Sequence, residues 1–203
     1  MKRPILLLTG IAVFIFVIWA GARSTRAGVE SPDYRVLTRD GDFEVRRYDE
    51  MIGAATAMQA AGESGRNSGF GRLFRFISGG NEREEKIAMT SPVFVETDDK
   101  GDEKAMIFVM PKATVAAGVP DPSAAEVTVK TMKAGDFAAL RFKGYRSREA
   151  QQQARTALME KVAAAGLQPQ GEPVFAYYDP PWIPESLRRN EVLVRVTGVK
   201  ADR

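Results

Sequence analysis

The chain has 203 residues, 44% of them hydrophobic and 27% charged, with 29 basic against 26 acidic side chains and a net charge of +3. This length and balance fit one globular domain plus an appendage and exclude both an intrinsically disordered chain and a polytopic membrane protein. There is no cysteine and no histidine, which excludes disulfides, thiol nucleophiles, Cys/His zinc sites and Ser-His-Asp triads, and the basic residues fall in ones and twos, which argues against a nucleic-acid partner.

The first element in the chain is a targeting segment. Lys2 and Arg3 precede an unbroken apolar run from Pro4 to Ala20, and Arg23 and Arg26 restore charge after it. A run of roughly 17 residues lies between the core of a secretory signal and a full bilayer span. Ala20-Gly21-Ala22 supplies a small-x-small cleavage pattern, whereas Trp19 followed by Arg23 resembles the interfacial end of an anchor. Residues 1–22 are therefore read as a signal peptide or an N-terminal membrane anchor. In both cases the domain is expected on the periplasmic or extracellular side of the cytoplasmic membrane. Residues 23–31 form a tether, 32–198 the domain and 199–203 a short tail.

Within the domain the same order of signals occurs twice. Phe43 to Tyr48 and Met51 to Met58 alternate or run apolar like paired strands. Arg66 to Ser78 has helical spacing through Phe70, Leu73, Phe74 and Ile77, and Gly79-Gly80 supplies the stop. Strands at Pro92 to Glu96 and Ala105 to Met110 follow, around a turn-rich acidic stretch. The second pass has a hairpin, Glu126 to Met132 and Asp136 to Phe142, then a helix capped by Ser147 and ended by Gly166. It closes with strands at Pro173 to Tyr178 and Glu191 to Val196. Pro92-Val93-Phe94 matches Pro173-Val174-Phe175, an offset of roughly 80–86 residues that suits a duplicated half-domain rather than a solenoid. The expected architecture is α+β: a distorted antiparallel β-barrel built from two pseudo-twofold strand-strand-helix-strand-strand repeats, with two flanking helices.

Three stretches carry a family resemblance: FEVRRYDE at Phe43 to Glu50, GFGRLFRFISGGNEREEKIAMTSPV at Gly69 to Val93, and YYDPPWIPESLRRNEVLV at Tyr177 to Val194. Together they resemble the SOUL haem-binding proteins across nearly the whole domain. The resemblance implies a distorted barrel and reversible, non-catalytic binding of haem or a related tetrapyrrole as buffer, carrier or sensor, without histidine ligation here. It implies that Phe70, Phe74 and Arg75 on the first helix form one wall of the ligand site, and that the loop with Trp182 and Ile183 faces the ligand from the other side. It implies no catalytic residue and no protein-held metal.

The residues themselves leave several readings open. Phe70, Leu73, Phe74 and Ile77 make a stripe that serves either as core or as an apolar wall for a porphyrin, with Phe76 off its centre. Arg72 and Arg75, three apart, either share a side and pair with two propionates or oppose the helix C-terminal dipole in solvent. Without histidine, an iron ligand has to come from Met89, Tyr177 or Tyr178, each of which also reads as a packing residue. The proline-rich stretch Asp179 to Pro184 is either a stiff lip with Trp182 as its contact or a rigid connection whose tryptophan plugs the barrel end. Glu82, Glu84 and Glu85 beside Arg83 and Lys86 read as a solvated loop. Other functions on the same fold are a binding module for other hydrophobic small molecules and a haem- or ester-modifying enzyme. The chain is expected to be monomeric, with the membrane as a partner if residues 1–22 are retained.

Overall fold

The computed structural model describes residues 28–58, 68–144, 146–180 and 182–199. The targeting segment, most of the tether, the first two residues of the expected first helix and the last four of the tail lie outside them. Among the described residues no helix is long and apolar enough to cross a membrane.

Nine strands form one sheet: β1 (Tyr34–Asp40), β2 (Phe43–Tyr48), β3 (Met51–Ala57), β4 (Val93–Thr97), β5 (Glu103–Val109), β6 (Val127–Met132), β7 (Gly135–Phe142), β8 (Gln168–Tyr177) and β9 (Asn190–Thr197). Among the described residues three helices accompany them: α1 (Gly69–Ile77), α2 (Lys112–Ala117) and α3 (Arg148–Ala164). The strand order is β1-β2-β7-β9-β8-β4-β5-β3-β6, antiparallel throughout. The α+β class and the large antiparallel sheet are as expected, but the barrel is not closed. Strand β1 was not foreseen because its side chains are half-exposed or exposed on both faces, leaving no alternation to detect. It pairs along the outer edge of β2, from Tyr34 opposite Tyr48 to Asp40 opposite Phe43. That edge is the one β6 would have to reach for closure, so the sheet ends in two free strands. Lys130, on the β6 edge strand, is one of the charges that keep such an edge from recruiting another chain.

Both main helices begin on the residues that local chemistry favours. Ser68 accepts a hydrogen bond from the Gly71 amide at 3.1 Å, and Ser147 one from the Ala150 amide at 3.2 Å. Helix α1 stops at Gly79, whose φ of 108° belongs to the region that glycine adopts without strain.

Strand alternation sends side chains to two faces, and both are covered. Met106 and Phe108 point toward the helices, into a core with Leu73, Phe76, Ala154, Leu158 and Val162. Ile107 and Val109 point the other way, toward Tyr48, Phe94, Ala139 and Leu193. Helix α1 lies over β3, β5 and β6, and α3 over β7, β8 and β9.

The face away from the helices holds a buried ion network. Arg46 is 2% exposed and Glu191 0%. The Arg46 guanidinium donates to Glu191 at 2.6 and 3.1 Å and to Glu44 at 2.6 Å. Arg189 donates to Glu191 at 2.8 and 3.0 Å, and the Tyr178 hydroxyl donates to the same carboxylate at 2.9 Å. Arg46 also lies over the Tyr34 ring and Arg189 over that of Tyr178. The spacing Arg188 to Glu191 suggests only local pairing; the reach to Arg46, 145 residues away, appears once β2, β7 and β9 align.

Burial pushes the Glu191 carboxyl up, but the hydrogen bonds and charge of Arg46, and then of Arg189, outweigh it and hold the group below the ordinary glutamate value of 4.5. A folded-state value below the unfolded one means that the unfolded chain binds the proton first. The stabilisation is therefore complete above about 4.5 and is lost as pH falls through the lower native value. Urea midpoints should drop across that acid range, with a shallower slope in Glu191→Gln; equal slopes in the two proteins would assign the acid sensitivity to other carboxylates.

Candidate functional site

Helix α1 divides its side chains unlike the simple stripe in its sequence. Gly69, Arg72, Leu73, Phe76 and Ile77 are buried against the sheet. Phe70 and Phe74 are not: they are 45% and 51% exposed. Core packing is thus carried by Phe76, expected off-centre, in place of Phe70 and Phe74. The hydrophobic periodicity of a nine-residue helix cannot by itself separate a core face from an adjacent apolar one, because the two lie less than a quarter turn apart.

The exposed pair is ordered. The rings of Phe70 and Phe74 stack with centroids 6.0 Å apart and planes 12° from parallel. Phe70 also meets Phe108 of β5 edge-on at 5.3 Å. Arg72, on the other flank, donates to Thr56 Oγ1 at 2.9 Å and to the Ala57 carbonyl at 2.6 Å on β3. Since β5 lies between β3 and β4, the aromatic flank of α1 looks toward the middle of the sheet, in the direction of α3.

The floor on that side follows from register. Val93 of β4 pairs with Phe108 of β5 and with Tyr177 of β8, so the three side chains form a row beneath the gap between the helices. Phe108 is sealed under Phe70, while Val93 and Tyr177 remain half-buried. In the next row Val95, Met106 and Phe175 are all buried. Gln151 of α3 donates to the Tyr177 hydroxyl at 2.7 Å, and Arg146 lies over its ring at 5.1 Å. Phe108 and Val93 were missed from sequence, although the alternation of β5 pointed Phe108 to the helix face.

Of the two readings left open for Arg72 and Arg75, neither the shared side for a propionate pair nor a pair simply in solvent holds for Arg72. Arg72 turns inward as a strut between α1 and β3, and Arg75 alone of the two stays exposed, next to Phe74. Arg72→Ala removes hydrogen bonds of a charged group and should lower stability by about 1.5–3 kcal/mol. Arg72→Lys should recover only part of it, since a single ammonium cannot reproduce the fork to Thr56 and Ala57. Urea unfolding of the two variants checks this, and a lysine variant as stable as the parent would contradict it.

Trp182 is 75% exposed, whereas Ile183 is buried. Both line an open depression of about 710 Å³ with Lys143, Gly144, Glu185 and Arg188, to which no α1 residue contributes. The stiff segment is held by Arg188 Nε donating to the Ile183 carbonyl at 2.7 Å and by the Arg189 amide donating to Asp179 at 2.6 Å. Trp182 is thus no plug of a barrel end. It emerges just beyond Tyr177, from the end of the sheet that carries the Phe108-Val93-Tyr177 row.

The tyrosines remain protonated at neutral pH. Burial pushes the Tyr177 hydroxyl up to about 12 against the hydrogen bond from Gln151, and burial beside Glu191 raises Tyr178 well above 10. Glu82 to Lys86 are exposed, as a solvated loop should be.

The model of the SOUL heme-binding protein family matches residues 29–195. No curated protein matches the sequence significantly. Among solved structures, the C-terminal domain of EcmrR is similar over 82% of this chain and 99% of its own, at 15% identity and a TM-score of 0.53. A hydrolase from Listeria innocua is similar over 79% and 94%, at 10% identity and a TM-score of 0.53. The cryo-EM structure of an EcmrR-DNA complex matches over 95% of this chain and 70% of that one, at 12% identity and a TM-score of 0.53. At such identities the likeness is one of fold.

Proposed function

The chain belongs to the SOUL heme-binding protein family, and from that premise we propose that it binds haem or a related tetrapyrrole, without catalysis, on the aromatic flank of α1. The observation that carries this reading is the exposed Phe70-Phe74 stack facing the gap between the helices. Two large apolar rings kept half in water lose free energy of burial in the apo protein, and a flat apolar ligand recovers it at about 25 cal/mol per Å². Arg75, exposed beside Phe74, supplies a cation for a propionate.

The residues present fit a porphyrin held by its faces and edges. The Tyr177 hydroxyl on the site floor keeps its proton and that of Tyr178 points to the opposite face, onto Glu191, so no phenolate is offered to iron at neutral pH. A bound haem would contribute an iron centre open to exchange of small ligands; the protein contributes the apolar wall, the charge at its rim and exclusion of water from one face. Buffering, carrying or sensing outside the cytoplasm suits such a loose seat, with residues 1–22 as the export signal or anchor. The proposed duplication has support in the strand order: exchanging β2, β3, β4, β5 with β6, β7, β8, β9 returns the same sequence of neighbours from β2 to β6.

Titration of the purified protein with haemin tests the function. Saturable movement of the Soret band, weakened in Arg75→Ala at low salt and less so at high salt, is the expected result. Absence of any shift, together with melting-point increases from other apolar or cationic compounds, would replace haem by another hydrophobic ligand.

A further inference from the structure

We infer that the end of the sheet carrying Phe70, Phe74 and Trp182 rests on a lipid bilayer, with Trp182 in the headgroup region, so that the tetrapyrrole seat opens toward the membrane and exchanges its ligand with it. This rests on the apolar run Pro4 to Ala20 being retained as an anchor.

The first support is where the described chain begins. Glu30 bridges to Thr90, its carbonyl accepts from the Ser91 amide at 2.9 Å, and its carboxylate accepts from the Lys112 amide at 2.8 Å. Ser91 is two residues from Val93, the centre of the site floor, and its hydroxyl donates to the Tyr178 carbonyl at 3.3 Å. The tether therefore reaches the domain at the site end of the sheet. The ten residues from Gly21 to Glu30 span at most about 36 Å when fully extended. A membrane-held Ala20 keeps Glu30, and the site beside it, within that reach of the lipid surface.

The second support is the surface at that end. Of the six large hydrophobic residues exposed among the described residues, Phe70, Phe74 and Trp182 lie here. Tryptophan on a proline-stiffened loop is suited to the interface, where an amphipathic ring is favoured and little loop entropy remains to be lost. Lys143, exposed, lines the same depression as Trp182 and adds a cation attractive to anionic headgroups. An apolar tetrapyrrole partitions into bilayers, so a seat at the lipid surface meets its ligand where it is concentrated.

The chain has two tryptophans, Trp19 and Trp182, so Trp19→Phe leaves Trp182 as sole reporter in the full-length protein. Reconstituted in vesicles of phosphatidylcholine and phosphatidylglycerol, this variant should show blue-shifted emission, most of it lost when the acyl chains are brominated just below the headgroups. Emission equal in brominated and plain vesicles, and fully quenched by aqueous iodide, would overturn the inference. So would a mass showing that the chain recovered from cell membranes lacks residues 1–22. Haemin titration of the same vesicles separates the two proposals: binding without lipid quenching ends only this one, and quenching without haemin binding ends only the ligand reading.

Discussion

Glu191→Ala is expected to destabilise the domain by about 3–5 kcal/mol, as much as truncating a fully buried phenylalanine, because it strands buried positive charge. In the native protein Arg46 has two carboxylates, Glu44 and Glu191, and Arg189 shares the second. Without Glu191, two guanidiniums on the face away from the helices are left with Glu44, which Arg39 also engages at 2.5 Å. Neither Arg46 nor its surroundings can take up water easily at 2% exposure. For a domain of this size the loss corresponds to roughly 6–20 °C in melting temperature. Replacing Arg46 and Glu191 together by leucine removes one of the two stranded guanidiniums and should recover part of the loss, since Arg189, 25% exposed, still loses its carboxylate while Glu44 keeps Arg39. Equilibrium urea unfolding of the single and double variants measures both. A single variant within 1 kcal/mol of the parent, taken here as roughly the ordinary effect of a point substitution, would mean that the network contributes nothing to stability.

Phe70→Ala and Phe74→Ala should each weaken haemin binding roughly 10- to 30-fold, while costing much less stability than a core phenylalanine does. About half of each ring faces solvent, on the order of 100 Å² per ring, and a ligand that covers about 60–80 Å² of it gains about 1.5–2 kcal/mol. A fully buried phenylalanine truncated to alanine loses about 3–5 kcal/mol of fold stability; Phe76, 1% exposed on the same helix, is the internal control. Phe74 is the cleaner test, because Phe70 also packs edge-on against Phe108 and its removal carries about 0.5–1.5 kcal/mol of structural loss. The decisive comparison is between affinity and stability in one variant. If Phe74→Ala unfolds like Phe76→Ala and binds haemin like the parent, the exposed stack is structural and the ligand sits elsewhere.

The function proposed here needs little from the rest of the molecule beyond rigidity. Arg72 fixes α1 to β3 from one side and Leu73, Phe76 and Ile77 from below, so the Phe70-Phe74 flank is presented on a helix that cannot roll. A preorganised apolar wall loses less conformational entropy on binding than a mobile one. The ion network on the opposite face holds β2 and β9 together through Arg46 and Glu191 and keeps β8 in place through Tyr178, and β8 in turn supplies Tyr177 to the site floor.

By itself the sequence determined the elements whose chemistry is local. Ser147 announced the second helix and the spacing of Phe70, Leu73, Phe74 and Ile77 the first, Gly79 and Gly166 ended them, and alternation marked most of the strands, since caps, left-handed turns and period-two patterns depend on neighbours a few residues away. The motifs around Phe43, Gly69 and Tyr177 likewise carried the family. Tertiary structure alone decided the rest. Strand β1 occupied the edge that a closed barrel needs, Arg72 turned inward while Arg75 stayed out, and the stripe on α1 split into a buried Phe76 and an exposed Phe70-Phe74 pair. The site floor of Phe108, Val93 and Tyr177 and the pairing of Arg46 with Glu191 join residues from distant parts of the chain. Which face of a helix meets the sheet, and which charges share a dry interior, are set by long-range register and competition for burial, and no local pattern encodes either.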